Sequence, residues 1–291
     1  MKKLICILMA LALCAGATLA ECPQIDAKDY PHVDGSTATL PLSYRLMSAA
    51  TGVSEDEAKI AIRHNKTTES FYALVSGEAD MLLVYEPSQT AWDYAKEEGV
   101  ELEVQAIGYD APVFLINDQN PVESLTQQQI VDIYAGKITN WAEVGGEDID
   151  IIAYQRVESS GSQVMMKAQV MKDTPMADAP KELRPDEMGE LVDEIASYRN
   201  TANSIGYSVF YYIDNMYMQQ GIKLLAVDGV APSNAAIASG EYPYRQPFYC
   251  VIRADAPADS PARRLYDWLA TAEGRKLVED AGYVAAEATQ D

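Results

Sequence analysis

DAPVFLINDQNPVESLTQQQIVDIY, residues 110–134, and QPFYCVIRADAPADSPARRLYDWL, residues 246–269, repeat one pattern. Each opens on an apolar, strand-like run and passes through a turn containing Asp and Pro. Each then meets a Ser or Thr and continues as a helical segment. Ser124 and Thr126 are the candidate caps of the first helix, which runs through Tyr134. Strands alternate with helices elsewhere too, which predicts an α/β fold with mainly parallel sheets. The two copies stand before and after the middle of the chain. That placement suits two crossings between a pair of lobes.

Nearer the start of the chain, DGSTATLPLSYRLMSAATG (34–52) reads as a polar loop entering a helix, with Pro41 in its first turn and Gly52 at its end. SEDEAKIAIRHN reads as a short acidic helix followed by a brief strand. TTESFYALVSG (67–77) reads as a helix closed by glycine, leading to a buried strand over Met81 to Tyr85. IDIIAYQ predicts a strand, and SGSQVMMKAQVMKD a helix whose Met165, Met166 and Met171 belong to the core.

The first twenty residues, MKKLICILMALALCAGATLA, have a basic start, an apolar run and a small-residue cleavage site, and read as an export signal. Leu13 and Glu21, preceding Cys14 and Cys22, are not the small residues a lipid-modified cysteine follows, so a lipid anchor is not favoured. Without Lys2 and Lys3, 20 Lys and Arg remain against 44 Asp and Glu, a net charge of −24. Such a surface repels nucleic acid and anionic lipid. Cys22 and Cys250 are the cysteines left after processing. They are a candidate disulfide pair, with two free thiols as the alternative. His32 and His64 show no zinc-type spacing, so no metal and no cofactor is expected.

Three segments share one grammar, in which Ser and Thr precede a helix start. They are Ser36–Leu40 before Pro41, Thr67–Thr68, and Ser159–Ser162 after Arg156. A helix N-terminus offers unpaired N–H groups and a partial positive charge, a ready anion site. Hydroxyls add neutral donors, Gly161 admits close approach, and Arg156 supplies a forked full charge. Taken singly, each segment reads equally as ordinary capping.

The run from Asn120 to Lys172 resembles the phosphate-binding proteins of bacterial phosphate ABC importers. DGSTATLP, NSIGYSVFYY (203–212) and GEYPYRQPFYCVIRADAPADSPARRLYDWLATAEGRKLVEDAGYV extend the likeness over the whole mature chain. The resemblance implies a type II periplasmic-binding-protein fold, with two α/β lobes, two crossing strands as the hinge, and one phosphate between the lobes. Its implied division is residues 21–112 with 245–291 as one lobe and 113–244 as the other. The family's Arg-x-Asp-Gly-Ser-Gly-Thr corresponds to Arg156, Glu158, Ser159, Ser160, Gly161 and Ser162. Its Thr-Phe-Pro corresponds to Thr39-Leu40-Pro41, with Thr37 beside it. Thr67 matches a capping hydroxyl, and Glu86 lies near a second carboxylate position. Glu158 is the expected acceptor for a proton that phosphate carries and sulfate lacks.

The expected protein is an exported monomer, periplasmic or on the outer face of the membrane. It is not an enzyme, and it delivers phosphate to a membrane permease. A second reading keeps the fold and exchanges phosphate for sulfate or molybdate. A third, a hydrolase with Ser160 or Ser162 as nucleophile, lacks a Gly-x-Ser-x-Gly elbow and has two histidines to draw on.

Overall fold

The computed structural model describes residues 21–197 and 202–287. The export signal expected over residues 1–20 lies outside them. Among the described residues, no helix is long and apolar enough to cross a membrane.

The chain starts with β1 (Val33–Gly35), α1 (Leu40–Thr51), α2 (Glu55–Ala61), α3 (Thr67–Ser76), β2 (Met81–Val84) and α4 (Gln89–Glu97). Pro41 occupies the first turn of α1, and Gly52 ends it at φ 76°, a left-handed conformation suited to glycine. β3 (Leu102–Asp110) and β4 (Pro112–Asn117) are separated by Ala111 alone. β5 (Ser124–Leu125), α5 (Gln127–Tyr134), β6 (Ile152–Ala153), α6 (Gly161–Met165) and α7 (Met188–Ala196) follow. The remainder is β7 (Ser204–Val209), β8 (Ile222–Leu224), β9 (Ala226–Val227), α8 (Asn234–Ser239), β10 (Gln246–Arg253), α9 (Pro261–Leu269), α10 (Ala272–Asp280) and β11 (Val284–Ala285).

Both copies of the opening pattern fold as read. In α5, Thr126 and Gln129 cap each other reciprocally, while Ser124 lies in β5. In α9, the Ser260 hydroxyl accepts from the Arg263 N–H, with Pro261 in the first turn. The helix predicted over 160–173 is a short α6 that widens into a π-helical stretch, Met166–Met171. Met165, Met166 and Met171 are buried, as core residues should be. The brief strand expected directly after α2 does not form, and residues 62–66 are irregular.

Two main sheets result, ordered β1-β2-β10-β3-β11 and β6-β7-β4-β8, with β5 and β9 paired separately. The expectation of mainly parallel sheets does not hold. β1–β2, β5–β9 and β6–β7 are parallel, whereas β10 runs antiparallel to β2 and β3, β11 to β3, and β4 to β7 and β8. For β3 and β10 the reason is the double crossing. A chain that leaves one lobe along β3–β4 and returns along β10 lays the outgoing and returning strands side by side in opposite directions. Alternation of strands and helices does not encode that reversal. α8 packs against β3 and β11 of the first sheet, although it falls within the segment expected for the second lobe.

At the outgoing crossing sits Asp110, fully buried. It accepts from Tyr85 Oη at 2.6 Å, the Ala111 N–H at 2.8 Å and the Tyr211 N–H at 3.2 Å. Burial pushes this carboxyl up to about 6. Cys22 and Cys250 are free thiols, so the disulfide reading is set aside in favour of its alternative. Cys250 lies inside β10, flanked by Leu83 of β2 and Gln105 of β3. Burial raises both thiols, Cys22 to about 11, which keeps them protonated and unreactive.

Candidate anion-binding site

Loops from both sheets converge on one small pocket. Its walls include Ser36, Thr37 and Ala38 ahead of α1, Lys66 and Thr67 at the start of α3, and Arg156 with Ser159–Ser162 at the start of α6. The cavity volume is about 30 Å³. One water needs about 10–15 Å³ on this measure. The pocket therefore admits a group of a few heavy atoms, not a sugar or an amino acid.

Several contacts draw the two sides together. Thr68 Oγ1 donates to the Ser159 carbonyl at 2.9 Å. Lys66 Nζ reaches Glu187 at 2.7 Å and Asp186 at 3.1 Å. Gly161 approaches Thr67 so closely that a Cβ there would lie 2.4 Å from Thr67 Oγ1. Glycine is required by proximity, not by its backbone angle.

The hydroxyls around the pocket are not capping helices. Ser54, Thr126, Ser233, Ser260 and Thr271 all accept from a first-turn N–H of their own helix. Ser160, ahead of α6, makes no such bond, nor does Ser36 ahead of its own helical segment, and Lys66 ahead of α3 has no acceptor to make one. Instead Ser160 Oγ meets Ser162 Oγ at 3.0 Å, and Ser36 Oγ meets Thr67 Oγ1 at 2.8 Å. Hydroxyl pairs and uncommitted first-turn N–H groups are donors waiting for an acceptor.

Arg156 is 4% exposed. Its Nε donates to the Pro185 carbonyl at 3.0 Å and its Nη2 to the Asp186 carbonyl at 2.7 Å. Nη1 makes only a long contact, 3.4 Å, to Ser162 Oγ. Its backbone N–H is held by Tyr207 Oη at 3.0 Å, and that hydroxyl donates to Gln163. Among the described residues no carboxylate forms a salt bridge with this guanidinium. Burial therefore lowers its pKa, opposing its charge. An unpaired buried cation is costly unless an anion joins it.

Of the residues picked out by sequence, the structure brings together Thr37, Thr67, Arg156, Ser160, Gly161 and Ser162. Four others stand elsewhere. Thr39 spends its hydroxyl on the Leu83 and Ser36 carbonyls, 2.5 and 2.8 Å away. Leu40, expected to offer its backbone N–H, donates it to the Thr37 carbonyl, and its side chain is half-buried against the Met47–Ala58–Ile62 cluster. Glu86 accepts from Trp92 Nε1 at 2.8 Å, in a separate groove beside Tyr72. Glu158 is exposed and paired with Lys167. The Ser160 N–H bonds the Val157 carbonyl at 3.0 Å, closing a turn that throws Glu158 outward and turns Ser159 toward the pocket. Lys66, Tyr85, Asp186 and Glu187 also line the pocket and carried no anion-site signal in the sequence, whereas Ser36 belonged to the candidate hydroxyl segment.

A family model described as a PBP superfamily domain matches residues 23–273. The chain belongs to this superfamily. A relative named as a phosphate-binding protein, PstS, from Borreliella burgdorferi is 23% identical over 295 residues, covering 98% of this chain and 99% of that one. A solved structure described as a phosphate ABC transporter substrate-binding protein with bound phosphate, from Clostridium perfringens, superposes with a TM-score of 0.70. It is 24% identical and covers 88% of this chain and 98% of its own. An ABC-type phosphate transport receptor from Vibrio cholerae gives a TM-score of 0.62 at 21% identity, covering 87% and 98%. These superpositions establish the two-lobed PBP fold.

Proposed function

We propose that the protein captures inorganic phosphate between its lobes and hands it to the membrane permease of an ABC importer, acting outside the cytoplasm as an exported monomer and not as an enzyme. The observation that carries this is Arg156, a buried guanidinium that forms no salt bridge with a carboxylate among the described residues, facing a pocket sized for a small ion in a chain of net charge −22. The names of the superfamily relatives agree with it. The ligand's oxygens would meet Arg156 Nη1, the hydroxyls of Ser36, Thr37, Thr67, Ser160 and Ser162, and backbone N–H groups near Ala38 and Gly161. The proposed lobes are residues 21–112 with 245–291, and 113–244, with α8 of the second segment reaching across to pack on the first sheet.

One observation favours a broader oxyanion preference. With Glu158 outside, the acidic pocket residues are Asp186 and Glu187, both engaged by Lys66. Among the described residues no uncommitted carboxylate then lines the pocket to reject sulfate. Competition calorimetry with phosphate, arsenate and sulfate separates the two. Phosphate displacing bound sulfate at stoichiometric concentration supports phosphate capture, and equal affinities support the broader reading.

A further inference from the structure

We propose that Lys66 is a positioning residue of the anion site, one that holds the lobes closed and aims Arg156 without itself gripping the ligand. The inference rests on the phosphate reading for its ligand, but its geometry stands apart from it.

Lys66 ends the loop before α3, and its ammonium crosses the cleft to Asp186 and Glu187, just ahead of α7. The same short segment presents the Pro185 and Asp186 carbonyls that hold Nε and Nη2 of Arg156. Those two bonds fix the fork along one side and leave Nη1 for the pocket. A displacement of residues 185–187 would therefore release the guanidinium. On the other side, Lys66 is followed by Thr67, whose hydroxyl meets Ser36. One side chain thus joins the donor groups of both lobes. Its backbone adopts φ 73°, a left-handed conformation unusual for lysine. A strained position is kept where the surroundings require it.

Both ion pairs are partly exposed, so each alone contributes modestly and weakens with salt. Their effect belongs in the dissociation rate, since they form across lobes that must part for release. Stopped-flow measurements with inorganic phosphate test this on the mature chain. Lys66→Met should speed dissociation about three- to tenfold, and Lys66→Arg should restore most of the loss. Asp186→Asn with Glu187→Gln should match Lys66→Met, and the triple variant should dissociate no faster than either. Additive effects, or an unchanged dissociation rate, would overturn the proposal. Additivity would mean that Lys66 touches the ligand directly.

Small-angle scattering without ligand gives an independent answer. Lys66→Met, and the parent in 1 M salt, should show a larger radius of gyration than the parent at low salt. An unchanged radius contradicts the clasp, whether or not phosphate is the ligand. A parent that binds no phosphate sinks the functional reading instead.

Discussion

Thr67 and Gly161 touch across the cleft: a Cβ at residue 161 would sit 2.4 Å from Thr67 Oγ1. The two lobes meet at a position where even one methyl group must push something aside. Gly161→Ala should hold the lobes apart. Overpacking of this kind costs about 1–3 kcal/mol, so phosphate affinity should fall roughly 5- to 150-fold. The melting temperature of the ligand-free protein should change little, because the strain falls on closure. Calorimetry together with a thermal melt checks both halves.

Arg156→Ala removes the buried cation from the pocket. A charge-assisted hydrogen bond is worth about 1.5–3 kcal/mol, so binding should weaken roughly 10- to 150-fold. Arg156→Lys should recover only part, since an ammonium cannot bond the Pro185 and Asp186 carbonyls while also reaching into the pocket. Titration of the two variants against the parent reads this directly.

Glu158→Gln should leave phosphate affinity and the preference over sulfate within about twofold of the parent, since an exposed ion pair is worth at most about 1 kcal/mol even to stability. Its carboxylate is exposed beside Lys167 and lines other surfaces. Competition titrations with the two anions provide the check.

Two buried groups give opposing pH dependences of stability. Asp110 is raised from 3.8 to about 6 by burial. Between those values the folded state holds a proton that the unfolded state has lost, so stability falls as pH rises. His64 is lowered from 6.5, chiefly by burial, and bonds the Ser36 carbonyl at 2.8 Å and Ser43 Oγ at 3.0 Å. Its stabilising contribution is complete above 6.5 and is lost as pH falls toward its folded value. The two offset one another in mild acid. Asp110→Asn should therefore leave stability rising with pH up to about 6.5, and His64→Gln should leave it falling with pH from about 4 to 6. Urea midpoints at half-unit pH intervals measure both slopes.

The elements with strong local signals were legible. The strand, turn and capped helix at β4–α5 and β10–α9 each contain their own start and stop residues, and sequence shows these plainly. Arg156, Ser160, Gly161 and Ser162 were legible because they occupy one short segment. Glu158 belongs to that segment too, yet a single turn over residues 157–160 decides which side chain faces inward, and spacing does not reveal it. Lys66, Asp186 and Glu187 stand about 120 residues apart in sequence and meet only because two lobes close. Strand direction was hidden for a related reason, as it follows from the chain's return through β10.

Arg156 is a buried guanidinium that forms no salt bridge with a carboxylate among the described residues, and a bound phosphate would supply that partner. Isothermal titration of the mature chain with inorganic phosphate tests it most directly. One site per chain is expected, with a dissociation constant of micromolar order or tighter, about −8 kcal/mol, largely lost in Arg156→Ala. Absence of both binding heat and thermal stabilisation at millimolar phosphate, or full affinity retained without Arg156, would contradict it.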